Sequence, residues 1–136
     1  MNKLFTVFIL ASFGFCAQAQ VQSNGTGGGN WSDPATWQGG IVPDFNSAAI
    51  TILGGDNVIV DANFTIDETT VQLGASLYIN SAFALTINNG AGTDFTMNGD
   101  LTVEGELILT NASTHAGMTA VNTNFLAGST YRHRFT

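Results

Sequence analysis

Val71-Gln72-Leu73 and Leu77-Tyr78-Ile79, separated by Gly74-Ala75-Ser76, return 24 residues later as Phe95-Thr96-Met97 and Leu101-Thr102-Val103, around Asn98-Gly99-Asp100. Each half is apolar-x-apolar, the alternation of a strand with one face buried and one face in water. Recurrence at a spacing of about two dozen residues is the mark of stacked coils, in which no unit buries its apolar face alone.

The same alternation runs through the chain from Ala49 onward. Ile50/Ile52, Val58/Val60, Phe64/Ile66, Val71/Leu73, Leu77/Ile79, Leu85/Ile87, Phe95/Met97, Leu101/Val103 and Leu107/Leu109 are separated by Gly, Asn, Asp and Ser, the residues of tight turns. No stretch keeps a 3.6-residue period, and both prolines, Pro34 and Pro43, precede the repeats. The expected fold is therefore all-β. It is a parallel β-solenoid of about three or four coils, roughly 4.8 Å apart. Phe64, Ile66, Val71, Leu73, Leu77, Ile79, Leu85, Ile87, Phe95, Met97, Leu101, Val103, Leu107 and Leu109 are expected to share one core. An antiparallel β-sandwich is the alternative that the strand spacing also fits.

Residues 1–19 read as a signal peptide. Lys3 begins it, Leu4 to Phe15 is its apolar stretch, and Ala17-Gln18-Ala19 is a small-x-small cleavage site. The bulky Phe13 and Phe15 argue against lipid attachment at Cys16. Cleavage near Ala19 leaves 117 residues with neither cysteine nor lysine, and moves the formal charge from −7 to −8. Such a domain relies on its strands and apolar core rather than on disulfides. Its acidity disfavours nucleic acid and anionic membrane surfaces. The apolar leader is too short for a membrane span.

Residues 20–30 carry no apolar period, are rich in glycine, and read as a flexible lead-in. Residues 31–48 form a compact non-repetitive unit with Trp31 and Trp37, expected to cap the solenoid. Residues 49–136 are the repeats. Thr110 to Thr119 is polar and is expected to leave a coil as a longer loop. Phe125 and Tyr131 then resume the six-residue strand spacing, and only five residues follow them. The solenoid is thus expected to be incomplete at its C-terminus, with the continuation of the same chain as its missing partner.

Gly29-Asn30-Trp31-Ser32-Asp33-Pro34-Ala35-Thr36-Trp37, with Gly40, Pro43, Val58-Ile59-Val60-Asp61 and Gly74-Ala75-Ser76-Leu77, resembles the N-terminal region of large secreted or surface proteins of Bacteroidota. It is also similar in pattern to the eight-glycine extracellular domain. Gly128-Ser129-Thr130-Tyr131-Arg132-His133 resembles a recurrent segment of the bacterial group. The resemblance implies a right-handed β-helix-like fold and export, often by the type IX route, and supplies no catalytic residues.

Trp31 and Trp37 are the candidate carbohydrate-binding residues, since pyranose faces pack on exposed indoles; as a cap they would instead cover the first coil. Glu104 and Glu106 stand one residue apart and are expected on one solvent face, without the cleft that a glycosidase needs. Asp56, Asp61, Asp67 and Glu68 could supply oxygen ligands to calcium, but no EF-hand or β-roll nonapeptide is present; Asp56 and Asp61 are expected to form turns with their own backbone. His115 and His133 have no ligand at metal-binding spacing, so no metal or cofactor is assigned. The Asn24, Asn30, Asn63 and Asn111 triplets read as compositional. With no catalytic constellation assembled, the expectation is a non-enzymatic extracellular or outer-surface module for display, spacing or adhesion. Its partners would be surface glycans or proteins. The alternative is a carbohydrate-binding accessory region of a secreted polysaccharide-degrading enzyme.

Overall fold

The computed structural model describes residues 20–110 and 113–134. Residues 1–19, which read as a signal peptide, and the first two residues of the Asn111 triplet lie outside the described residues. The first coil holds β1 (Gln20–Gln22) and β2 (Gly28–Asn30). Four three-stranded coils follow. They are β3 (Ala49–Ile52), β4 (Asn57–Val60) and β5 (Phe64–Ile66); β6 (Thr69–Val71), β7 (Ser76–Ile79) and β8 (Ala84–Ile87); β9 (Phe95–Met97), β10 (Asp100–Val103) and β11 (Glu106–Leu109); and β12 (His115–Ala116), β13 (Thr123–Phe125) and β14 (Thr130–His133).

Corresponding strands of successive coils pair in parallel, giving three sheets ordered β1-β3-β6-β9-β12, β2-β4-β7-β10-β13 and β5-β8-β11-β14. The protein is a parallel β-solenoid, and the sandwich alternative is set aside by this pairing. Inward residues stack in columns: Val58 on Leu77 on Leu101, and Leu85 on Leu107. Each is essentially inaccessible to water. Gly99 and Gly105 turn corners directly over carbonyl oxygens of the preceding coil, where a Cβ would collide with backbone. These corners are closed by Gly99 N–H donating to Val71 O and Gly105 N–H donating to Ile79 O.

The repeat itself needs one correction. Leu77-Tyr78-Ile79 stacks on Leu101-Thr102-Val103 at the expected offset, whereas Val71 stacks on Met97 and Thr69 on Phe95. The corner between β6 and β7 is Gln72 to Ala75, two residues longer than the Asn98-Gly99 corner between β9 and β10. Leu73 therefore falls in the corner and is 84% exposed, while Ala75 takes a buried position. Phe64 is only half-buried, packed against the core at its edge.

Residues 20–30 are not a loose lead-in. β1 pairs with β3, β2 with β4, and Val21 joins the core. The glycines here serve a fixed path: Gly28 has φ 79° and passes so close to the backbone of Asn57 that no side chain fits. The polar Thr110 to Thr119 stretch likewise contains a short strand, β12, paired with β9.

Candidate functional site

Trp31 and Trp37 offer no open stacking face. They are 0% and 2% exposed, edge to face at 4.9 Å and 65°, and Trp31 also lies 5.5 Å from the Phe64 ring. Trp31 Nε1 donates to Pro43 O at 3.1 Å, and Trp37 Nε1 donates to Trp31 O at 2.8 Å. A buried indole with its N–H satisfied is a packing unit. The expectation of a sugar platform at these two residues is corrected: in this fold they close the first coil. Asp33 supports that closure, accepting from Ala35 N–H at the short turn Pro34–Thr36.

Asp56 and Asp61 were expected to bond to their own turns, and they bond to the preceding coil instead. The Asp56 carboxylate accepts from Ser23 Oγ at 2.5 Å and from Gly25 and Gly27 N–H at 2.8 Å. Burial opposes its charge, yet the Ser23 hydroxyl and the Gly27, Gly25 and Gly28 amides outweigh burial and hold the carboxyl below its ordinary value. Asp61 accepts from Ser32 N–H and from Ser32 Oγ. Both aspartates therefore bind backbone and hydroxyl donors.

Asp67 differs. Burial, then the neighbouring charges of Glu68 and Asp94, push its carboxyl up, and its Oδ1 is buried without a hydrogen-bond partner. Asp94 itself is satisfied by Gly90 and Thr114 N–H. No group of three or more His, Cys, Asp or Glu side chains that could hold a metal ion occurs among the described residues.

Glu104 and Glu106 do not share a strand: Glu104 follows β10, Gly105 turns the corner, and Glu106 begins β11. Glu104 accepts a hydrogen bond from the Tyr78 hydroxyl, which raises the tyrosine's pKa. Glu106 pairs with Arg132 Nε at 2.6 Å. Each is tied to its own partner on a different sheet.

The remaining concentration of functional side chains is the last described coil. Its inward positions stack on an apolar layer, with His115 over Phe95, Thr123 over Leu101, Phe125 over Val103, Tyr131 over Leu107 and His133 over Leu109. The side chains below are wholly apolar, whereas His115, Thr123, Tyr131 and His133 each carry a polar group. Phe125 and Tyr131 meet edge to face at 5.8 Å and are 41% and 40% exposed. They line a cavity of about 450 Å3 together with His115, Met118, Thr119 and Thr123. Apolar ring faces beside threonine hydroxyls can hold a ligand that is flat and apolar on one side and hydroxylated at its rim. Burial pushes the Tyr131 hydroxyl's pKa up, so it is a neutral hydrogen-bonding group at ordinary pH. The sequence places Phe125 and Tyr131 in resumed strands but gives no sign that His115 joins them, because β12 is only two residues long and lies in a polar stretch.

The fold defines the class: a parallel β-solenoid with a tryptophan-closed first coil. Comparison with protein-family models, with curated proteins and with solved structures gives no match. Among the described residues, no helix is long and apolar enough to cross a membrane.

Proposed function

We propose that this chain is a non-enzymatic module of the cell exterior, serving display, spacing or adhesion. The observation that carries this reading is the continuous stacking of inward columns through three parallel sheets. Each added coil extends such a column by about 4.8 Å while the outer faces remain available for other chemistry. Outward positions such as Thr65, Thr86, Thr96 and Thr102 are polar and suit a hydrated surface. The leader-like residues 1–19 support export.

A second reading, a carbohydrate-binding accessory region, is favoured by the exposed Phe125 and Tyr131 rings. A glycan array probed with the intact chain, alongside Phe125→Ala and Tyr131→Ala variants, separates the two. The display reading predicts no ring-dependent saturable binding. Saturable binding to one glycan class, lost in both variants, would transfer the assignment to the second reading. Turnover of a bound glycan would overturn the non-enzymatic reading altogether.

A further inference from the structure

Asparagine stands directly before glycine at Asn24-Gly25, Asn89-Gly90 and Asn98-Gly99. We propose that Asn89 is a site of self-modification, at which the Gly90 backbone nitrogen attacks the Asn89 side-chain amide and converts this asparagine to aspartate and isoaspartate. The proposal is independent of the display reading.

The chemistry needs only the chain and water. Gly90 N loses its proton and bonds to Asn89 Cγ, the Cγ–Nδ2 bond breaks, and the amide nitrogen departs as ammonia with the equivalent of that proton. Water then opens the resulting succinimide at either carbonyl, giving aspartate or isoaspartate. Asparagine is a thermolabile residue type. A following glycine favours ring closure, because without a Cβ it leaves its nitrogen unshielded and bends readily.

The fold separates the three pairs. The Asn24 side chain is pinned at both ends: Oδ1 accepts from Thr26 and Gly28 N–H, and Nδ2 donates to Ala35 O at 2.9 Å. At Asn98 the attacking nitrogen would be that of Gly99, which is buried and donates to Val71 O. It sits in a corner where a Cβ would collide with the Ala75 and Gln72 carbonyl oxygens. Neither pair reaches a ring-closing geometry without opening its coil.

Asn89-Gly90 lies instead in the loop from β8 to β9, where Asn89 to Thr93 are all exposed. None of the described residues hydrogen-bonds to the Asn89 side chain. Gly90 N–H donates to Asp94 Oδ1 at 2.6 Å. A carboxylate at that distance can take the proton that must leave. Gly25 N–H has a similar carboxylate contact, to Asp56, so the distinction lies in the unpinned Asn89 amide and the exposed backbone around it. Loops with few buried contacts open at the lowest cost.

The position of the loop gives the reaction a consequence. Ala91 N–H donates to Glu68 Oε1 at 3.0 Å, and Gly90 lies against the Asp67 carboxylate. A new carboxylate at position 89 joins Asp67, Glu68 and Asp94, and like charges held together disfavour one another's ionised form. Isoaspartate also lengthens the backbone by a methylene, shifting Gly90 and Ala91 against Asp94 and Glu68. The modified chain should hold this loop less firmly.

The test is incubation of the purified chain at mildly alkaline pH, followed by peptide mapping with mass spectrometry. The amide-to-acid mass gain locates the reaction, and the two products separate on chromatography. In the folded chain Asn89 should convert about tenfold or more faster than Asn24 and Asn98, a factor of the size set by hydrogen bonds that must first break. In denaturant the ratio should collapse, since all three pairs share the same two residues. Asn89→Ser changes an exposed side chain, keeps the fold, and should abolish both the early conversion and the fall in melting temperature on ageing. A smaller ratio in the folded chain, or one that persists in denaturant, would overturn the proposal. Equal losses of melting temperature in aged wild type and Asn89→Ser would overturn its consequence for the loop.

Discussion

The hydroxyl of Ser23 donates to the Asp56 carboxylate at 2.5 Å, and the same oxygen of Ser23 accepts from Leu53 N–H at 2.8 Å. This contact fastens the first coil to the second. The Gly25 and Gly27 amides converge on the same carboxylate, so one side chain orders a glycine-rich segment that would otherwise lack structure of its own.

Asp56→Ala should therefore destabilise the fold by about 1–3 kcal/mol, because the buried Ser23 hydroxyl and the part-buried bonds from the Gly25 and Gly27 amides lose their acceptor. Chemical denaturation at neutral pH measures this. The pH dependence has a definite sign. The folded-state carboxyl titrates below its ordinary value, so its stabilisation is present above that value and is lost as pH falls through the folded one. Wild-type melts should decline over that acidic window, and Asp56→Asn should flatten the decline.

Asp67 should show the opposite sign. Its carboxyl is raised by burial, and then by Glu68 and Asp94. The folded state thus binds this proton more tightly than the unfolded chain, and the associated stability is lost as pH rises through the folded value. Asp67→Asn should raise the melting temperature at neutral pH and change it little in acid. A lower melting temperature at neutral pH would show that the charged form is favoured there.

The corner placement of Leu73 makes a contrast with Leu77. Leu73→Ser, at an 84% exposed site, should change stability by no more than about 0.5 kcal/mol. Leu77→Ala removes a fully buried side chain stacked between Val58 and Leu101, and should cost about 2–5 kcal/mol. Equal losses at the two positions would mean that Leu73 faces the core.

Trp31→Ala should cost about 3–5 kcal/mol, the usual range for removing a buried large aromatic side chain. Its packing on Trp37 and Phe64 is lost together with the hydrogen bond to Pro43. Denaturant melts of this variant measure how firmly the cap holds the first coil.

Much of the solenoid was legible because Leu77-Tyr78-Ile79 and Leu101-Thr102-Val103 keep both their alternation and their offset. Leu73 was misread because apolar-x-apolar spacing cannot distinguish a strand from a corner two residues longer than its counterpart. β1 and β2 escaped notice because only Val21 is apolar there, and they are held by pairing with β3 and β4, with Asp56 fastening the segment between them from more than two dozen residues away. The cap role of Trp31 and Trp37 could be read from the need to close a first coil. The proximity of His115 and His133 could not: it requires knowing that one coil ends where β14 returns beside β12. Residue spacing along the chain conceals that neighbourhood; coil length creates it.

The most direct test of the account is methyl–methyl nuclear Overhauser spectroscopy on selectively labelled Val, Leu and Ile residues. Parallel stacking predicts one continuous column from Val58 through Leu77 to Leu101, a second joining Leu85 to Leu107, and no core contact to Leu73. Cross-peaks pairing these strands in antiparallel order, or placing Leu73 among the core methyls in the Leu77 column, would contradict it.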